Sequence, residues 1–216
     1  MSLRLGVFAS KKFEMKLYHS TTSPFVRKVT MVLHETGLLD RVELIPSQGT
    51  PLDSSNMPVA QNPLGKVPAL ERPDGPALYD SRVICRYLDD RAKSGLYLDG
   101  NRLWDILTIV ATADGILEAA LAIAYELRLR DPKQQSPEIM DAQWAKAHRA
   151  ISTLNTRWIS HLSGPHTMAQ IATACALAYC DFRLPDRDWR SGNEELALWF
   201  DRYSQRESFQ ATIPVG

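Results

Sequence analysis

The residues that could do chemistry in this chain fall into three short stretches and one helical position. Thr21-Thr22-Ser23-Pro24 sets three hydroxyls immediately before an apolar helical repeat, with Ser23 where an N-cap is expected. A hydroxyl there stands at the positive end of a helix, beside backbone N–H groups without intrahelical partners. Such a place stabilises an anion, a thiolate or a phosphate. The same serine would serve equally as a plain helix cap, and this stretch alone leaves both readings open. Lys66-Val67-Pro68 sits in a turn that leads into a short strand, where a solvated loop lysine is the simpler reading of Lys66. Asp80-Ser81 puts a carboxylate and a hydroxyl at the start of another helix, which they would cap with or without a ligand. Asp114, in Ala113-Asp114-Gly115, reads by itself as an exposed or capping acid. The three cysteines, Cys85, Cys175 and Cys180, occur singly, with no CxxC and no histidine at metal-ligand spacing, so no zinc site is expected. Cys175 and Cys180 are five apart on a helical stretch and face different ways, so all three read as reduced core residues of a cytosolic protein.

The elements that position these groups can be read from the hydrophobic pattern. Met15, Leu17 and Tyr18 make a brief strand, and Phe25, Val26, Val29, Val32 and Leu33 share one helical face that closes at Gly37. Arg41 to Ile45 alternates as a second strand. Pro46 to Asn62 reads as a long loop with one short helical turn near Met57 to Gln61. A strand ending at Leu70, a turn over Pro73-Asp74-Gly75-Pro76 and a strand over Ala77 to Tyr79 form a hairpin. A helix then follows from Asp80-Ser81, burying Val83, Ile84, Tyr87 and Leu88 and ending near Gly95. With the short turn counted as a helix, the order is βαβαββα. Beyond residues 94–100 every pattern is helical, so the expected division is a first domain over 15–93, a linker over 94–100 and an all-α domain over 101–216.

The second half opens with a long helix through Leu103, Val110, Leu117 and Tyr125. It is apolar on more than one side, so one face is expected to meet another subunit. Ser136-Pro137 starts a helix carrying Met140, Trp144, Ile151, Leu154 and Leu162 inward. Thr167 with Gln170 makes a capping box for a helix too apolar and small-sided for any surface. A short helix spans Glu194 to Tyr203. Lys and Arg total 25 and so do Asp and Glu, with no long run of one sign, which argues against a nucleic-acid or anionic-membrane partner. No apolar stretch is expected to span a bilayer. Residues 1–14 read as a leader or vector-derived extension outside the fold.

From Met15 to about Pro214 the order of elements and three motifs resemble the soluble glutathione S-transferase family, in the bacterial-type form with serine at the active-site turn. The resemblance implies a thioredoxin-like first domain and a helical second one. Ser23-Pro24-Phe25 is similar to the start of the family's first helix, where the hydroxyl or thiol faces the glutathione sulfur. Ser23 is thereby the implied catalytic residue, with Thr21 and Thr22 as alternatives, because some classes use a serine slightly earlier in the turn. Lys66-Val67-Pro68 resembles the cis-proline strand, with the Val67 backbone pairing with the cysteinyl unit and Lys66 facing the glycyl carboxylate. Asp80-Ser81 resembles the pair that holds the γ-glutamyl amine and carboxylate, with Asp where Glu is commoner. Asp114 resembles an acid that crosses a dimer interface toward the neighbour's γ-glutamyl amine. Gln170 departs from the Asp usual in the family's capping box, which puts stability in question rather than the fold. The implied protein is a cytoplasmic homodimer that joins glutathione to hydrophobic electrophiles, without a metal. Its electrophile would lie near Ala113, Leu117, Leu121, Tyr125 and Phe182. A non-catalytic binding or regulatory protein of the same fold, or a glutathione-dependent peroxidase, is the alternative.

The chemistry has a definite size. A free thiol has a pKa of about 8.5, and lowering it by about two units takes roughly 2.7 kcal/mol. A helix N-terminus supplies about 0.3 to 1 kcal/mol and a hydrogen bond to a charged group about 1.5 to 3. Both are needed together. A serine at the bend also argues against disulfide exchange, since a hydroxyl forms no mixed disulfide.

Overall fold

The structure is a computed structural model that describes residues 13–215. Strand β1 (Met15–His19) lies inside a four-stranded sheet with β2 (Val42–Pro46), β3 (Ala69–Arg72) and β4 (Gly75–Leu78), in the order β2-β1-β3-β4. β1 and β2 are parallel, as a helical crossover between them requires, while β3 runs antiparallel to both β1 and β4. Alternation along β1 buries Met15 and Leu17 and leaves Lys16 exposed. Over the buried face pack α1 (Pro24–Glu35), through Val29, Val32 and Leu33, and α2 (Ser81–Ala92), through Ile84 and Leu88.

The long loop expected between β2 and β3 is there, and the short turn counted as the second α of βαβαββα consists of hydrogen-bonded turns, including Asn62 N–H to Pro58 O at 2.8 Å. Pro46, Pro51, Pro58 and Pro63 explain this, since each lacks the N–H that a helical ladder needs. In place of helix packing, the other face of the sheet carries polar contacts: Tyr18 Oη donates to Glu71 at 2.6 Å and Gln61 Nε2 to the same carboxylate at 2.9 Å. Finally, Glu14 is not outside the fold. Its N–H donates to the Arg41 carbonyl, and its carboxylate pairs with Arg41 at 2.5 Å and Arg91 at 2.7 Å. The remainder of the expected leader, residues 1–12, lies outside the described residues.

The passage to the helical half is tied down at one residue. Asp89, buried near the end of α2, accepts hydrogen bonds from Ser94 Oγ (2.6 Å), Leu96 N (2.8 Å) and Tyr97 N (3.3 Å). Leu96 O in turn accepts from Met168 N at 2.9 Å. The helices that follow are α3 (Asn101–Leu129), α4 (Pro137–Arg157), α5 (Ile159–Leu162), α6 (Met168–Arg183), α7 (Glu194–Tyr203) and α8 (Glu207–Gln210).

Two expectations are corrected here. Leu162 belongs to α5, because Trp158 leaves the helical conformation (φ −112°, ψ 1°) and its ring packs edge-on against His161. α3 is in fact long and apolar enough to cross a bilayer by length and composition, with a window of mean hydropathy 1.9. It is packed against α4 and α6, and 56% of that window is buried inside the protein, as befits a core helix.

α6 is buried from Met168 to Cys180. Its N-terminal box is closed in both directions: Gln170 Oε1 accepts from Thr167 N at 2.9 Å and from Thr167 Oγ1 at 2.6 Å, while Thr167 Oγ1 accepts from Ala169 N. The amide also uses its other end, Nε2 donating to the carbonyls of Pro165 (2.8 Å), His161 (3.3 Å) and Leu162 (3.4 Å). A carboxylate could not make that second set, so glutamine satisfies this corner without a buried charge. All three cysteines are buried and unbridged, and burial pushes the Cys175 thiol up to about 11.

Candidate active site

The sheet register brings the three chemical stretches to one end of the molecule. Tyr18 pairs with Ala69 in antiparallel β1 and β3, so the chain beyond β1 (Ser20 to Pro24) lies beside the residues that precede β3 (Val67, Pro68). Leu78 pairs with Leu70, so the chain leaving β4 (Tyr79 to Ser81) arrives at the same edge. The N-termini of α1 and α2 both point there.

Ser23 is the N-cap of α1, with φ −81° and ψ 121°, followed by Pro24 in the first turn. Its Oγ accepts from Val26 N–H at 3.3 Å, a long bond. Accepting leaves the hydroxyl hydrogen unused, and it donates to no protein group among the described residues. The neighbouring hydroxyls are differently engaged. Thr21 Oγ1 donates to Val215 O at 3.1 Å, and Thr22 Oγ1 lies 3.4 Å from Ser20 Oγ. Of the three, Ser23 alone combines helix-end position with a free hydrogen.

The Val67–Pro68 peptide is cis, and Pro68 is buried. Val67 N–H and C=O have no protein partner among the described residues, although β3 begins only two residues later. The turn that delivers Val67 is built by Asn62, 2% exposed, which the sequence reading passed over. Its Nδ2 donates to Lys66 O at 2.9 Å and its Oδ1 accepts from Leu64 N at 3.0 Å, around Gly65 at φ 58°. An asparagine heading a turn is the available signal. Lys66 itself has an exposed side chain.

Asp80 is the N-cap of α2, accepting from Arg82 N at 2.9 Å, and it follows a cis peptide after Tyr79. Hydrogen bonds from the Arg82 guanidinium, as close as 2.7 Å, hold the Asp80 carboxyl below its usual value. Ser81 next to it is 2% exposed.

Asp114 is neither exposed nor a cap. Its carboxylate is buried on α3 and paired with Lys28 of α1, itself fully buried, and Arg82 Nε lies 3.9 Å away. It therefore links α3 to α1 within one chain, and the Arg82 that pairs with Asp80 also approaches it. Ala113 and Leu117, expected to face an electrophile, are sealed in the core.

Arg27 was also passed over, though a basic residue four after the cap, within the apolar repeat, was a legible signal. It is 6% exposed; Nη2 donates to Phe209 O at 3.1 Å, Nε to Thr212 Oγ1 at 3.4 Å, and the guanidinium stacks on the Phe209 ring at 4.1 Å. No carboxylate lies within ion-pair distance of it among the described residues. Nor, among those residues, is any group of three or more His, Cys, Asp and Glu placed to hold a metal.

A groove of about 710 Å³ lies on the outer side of α2 and α3, and Ser23 is not among the residues that line it. Val83, Tyr87, Trp104 and Leu107 line it, with Arg86 and Asp90 among its polar residues. Trp104 is 66% exposed there.

A parallel–antiparallel sheet with a cis X-Pro at the head of β3, joined to a helical half by α1 packing on α6, defines the class: a thioredoxin-like domain coupled to an all-α domain. The models for the glutathione S-transferase N-terminal domain and C-terminal domain match residues 22–91 and 137–202. The uncharacterized GST-like protein YibF of Escherichia coli (strain K12) is 34% identical over 204 residues, covering 93% of this chain and 98% of that protein. A glutathione transferase family member from Pseudomonas fluorescens Pf-5, crystallised with bound glutathione, superposes at a TM-score of 0.90 with 44% identity, covering 94% of this chain and 100% of that one. A glutathione S-transferase from Methylobacillus flagellatus KT, also with glutathione bound, gives 0.79 and 33%, covering 93% and 100%. This chain belongs to the glutathione S-transferase family.

Proposed function

We propose that the protein is a glutathione transferase that joins the glutathione thiolate to small hydrophobic electrophiles. The observation that carries this is the Ser23 hydroxyl at the head of α1, its hydrogen unused, at the same sheet end as the unpaired Val67 backbone. Glutathione lies extended along Val67-Pro68, backbone to backbone. Asp80 takes its α-amine and Ser81 its α-carboxylate, with Lys66 near the glycyl carboxylate. Asp114 acts at this end from beneath, through Lys28 and Arg82, and reaches an amine only if that pairing is exchanged. Ser23 donates to the sulfur. The thiol proton leaves to water, and the thiolate then attacks the electrophile. With an aryl halide the C–S bond forms while the carbon–halogen bond breaks, and halide departs with the electron pair. Ser23 lowers the barrier by favouring the anion before the encounter.

The assembly we infer is a cytoplasmic homodimer, with a second copy seated on the groove of Val83, Tyr87, Trp104 and Leu107. An exposed tryptophan amid apolar residues with charged neighbours suits a self-complementary surface. Trp104→Glu should yield monomers by light scattering, and an unchanged mass would remove this surface from the account.

The function is tested by retention on immobilised glutathione and by turnover of a generic aryl halide. Retention and turnover together support a transferase. Retention without turnover makes the chain a glutathione-binding protein, and absence of both refutes the site.

A further inference from the structure

We infer that Arg27 is an electrostatic partner of the bound sulfur: an uncompensated buried cation of α1 that lowers the thiol pKa without touching it. The inference rests on the proposed binding of glutathione at Ser23 and explains how that site completes its task.

Arg27 follows Ser23 by four residues, and its N–H donates to Ser23 O at 3.0 Å, so the two side chains rise from one face of the first helical turn. Removing a guanidinium from water is unfavourable unless something offsets it. Here the offset is neutral: two oxygen acceptors and an aromatic face. The charge itself has no matching carboxylate among the described residues, and its field extends outward.

The other charges around α1 are matched. Lys28 is paired with Asp114, and Asp80 with Arg82. Glu35, at the far end of α1, is paired with Arg206 at 2.8 Å and faces His166, whose pKa burial lowers. From α6 the titratable neighbour is Cys175, whose thiol burial keeps neutral, and from α7 it is Tyr203, which burial also keeps neutral. His34 lies in the last turn of α1, well away from its N-terminus. Among the described residues, Arg27 is thus the positive charge near the head of α1 with no carboxylate paired to it.

At a separation of about 10 Å and an effective dielectric of about 20, one unit charge shifts a pKa by about one unit. That is comparable to the helix N-terminus and covers what one hydroxyl leaves short. Arg27 is a positioning residue for charge, distinct from Ser23, which touches the sulfur.

The test is an ultraviolet titration of the thiolate of glutathione bound to the unmodified protein and to Arg27→Lys, Arg27→Gln and Arg27→Met. Gln keeps a donor for Phe209 O but no charge, and Lys keeps the charge with altered bonds. The expected order follows charge: Lys within about 0.3 unit of the unmodified protein, Gln and Met both raised by about one unit, a tenfold loss of thiolate near neutral pH. A role confined to anchoring the C-terminal residues would rank Gln with Arg, and that result overturns the inference. If Met is too unstable to titrate, the Lys and Gln pair decides alone. Bound glutathione that titrates like the free thiol in the unmodified protein would overturn the Ser23 reading instead, separating the two failures.

Discussion

Ser23 at the head of α1 and Thr167 at the head of α6 are both hydroxyl caps, and in sequence they look interchangeable. In the fold they differ in how much of their bonding capacity is already committed. Thr167 is 1% exposed, and with Gln170 it forms a ring of donors and acceptors with partners throughout. Ser23 is only half-buried, accepts one long bond and keeps its hydrogen. The first cap closes a corner of the core, and the second is the one at which we propose that an anion is held. A helix end becomes a site when its cap is incompletely satisfied and solvent can reach it.

Four substitutions or titrations bear on this contrast. Gln170→Glu should be the most damaging, placing a carboxylate against the Pro165, His161 and Leu162 carbonyls at a cost of about 2 to 4 kcal/mol in chemical denaturation. If stability were unchanged, the sealed character of the α6 corner would be wrong. Ser23→Ala should do the reverse. It loses about 1 kcal/mol of stability or less as a weak cap, while thiolate stabilisation falls by about 2 kcal/mol, read as a drop of more than tenfold in kcat/KM. An undisturbed thiolate titration would transfer the role elsewhere in the turn. Thr21→Val tests that transfer directly. Its hydroxyl is occupied by Val215 O, so the thiol pKa should stay within about 0.3 unit and glutathione affinity should hold within about threefold.

The smallest effect concerns pH. The α6 cap contains no titratable group, whereas α2 begins on Asp80, whose carboxyl Arg82 holds below its ordinary 3.8. A depressed acid stabilises the fold above its unfolded pKa and loses that contribution as pH falls through the folded value. The melting temperatures of the unmodified protein and Asp80→Asn should therefore converge below about pH 3.8, while Gln170→Glu stays the less stable across neutral and alkaline pH. Parallel curves for Asp80→Asn would show that the pair contributes nothing, which half-exposed pairs often do.

Much of this was legible in the chain because local chemistry set it. Pro24, Ser136-Pro137 and Thr167 with Gln170 announce helix starts where α1, α4 and α6 begin, and apolar spacing marks α7 to the residue. What could not be read depends on partners distant in sequence. Asp114 looked exposed because its neighbours say nothing of Lys28, 86 positions away. The prolines after β2 were legible as a long loop with one short turn, and the structure has turns rather than a helix there. Of the candidate site, Ser23 and Asp80-Ser81 could be singled out as helix starts from type and spacing, whereas Val67-Pro68 and the expected ligand roles came from the family resemblance. Arg27 needed Phe209 and Thr212 in view before its lack of a counter-charge could be recognised.

The Asp89 carboxylate grips Ser94, Leu96 and Tyr97 while Leu96 is held in turn by Met168, so a change at that one residue of α2 would be felt on both sides of the passage between the halves.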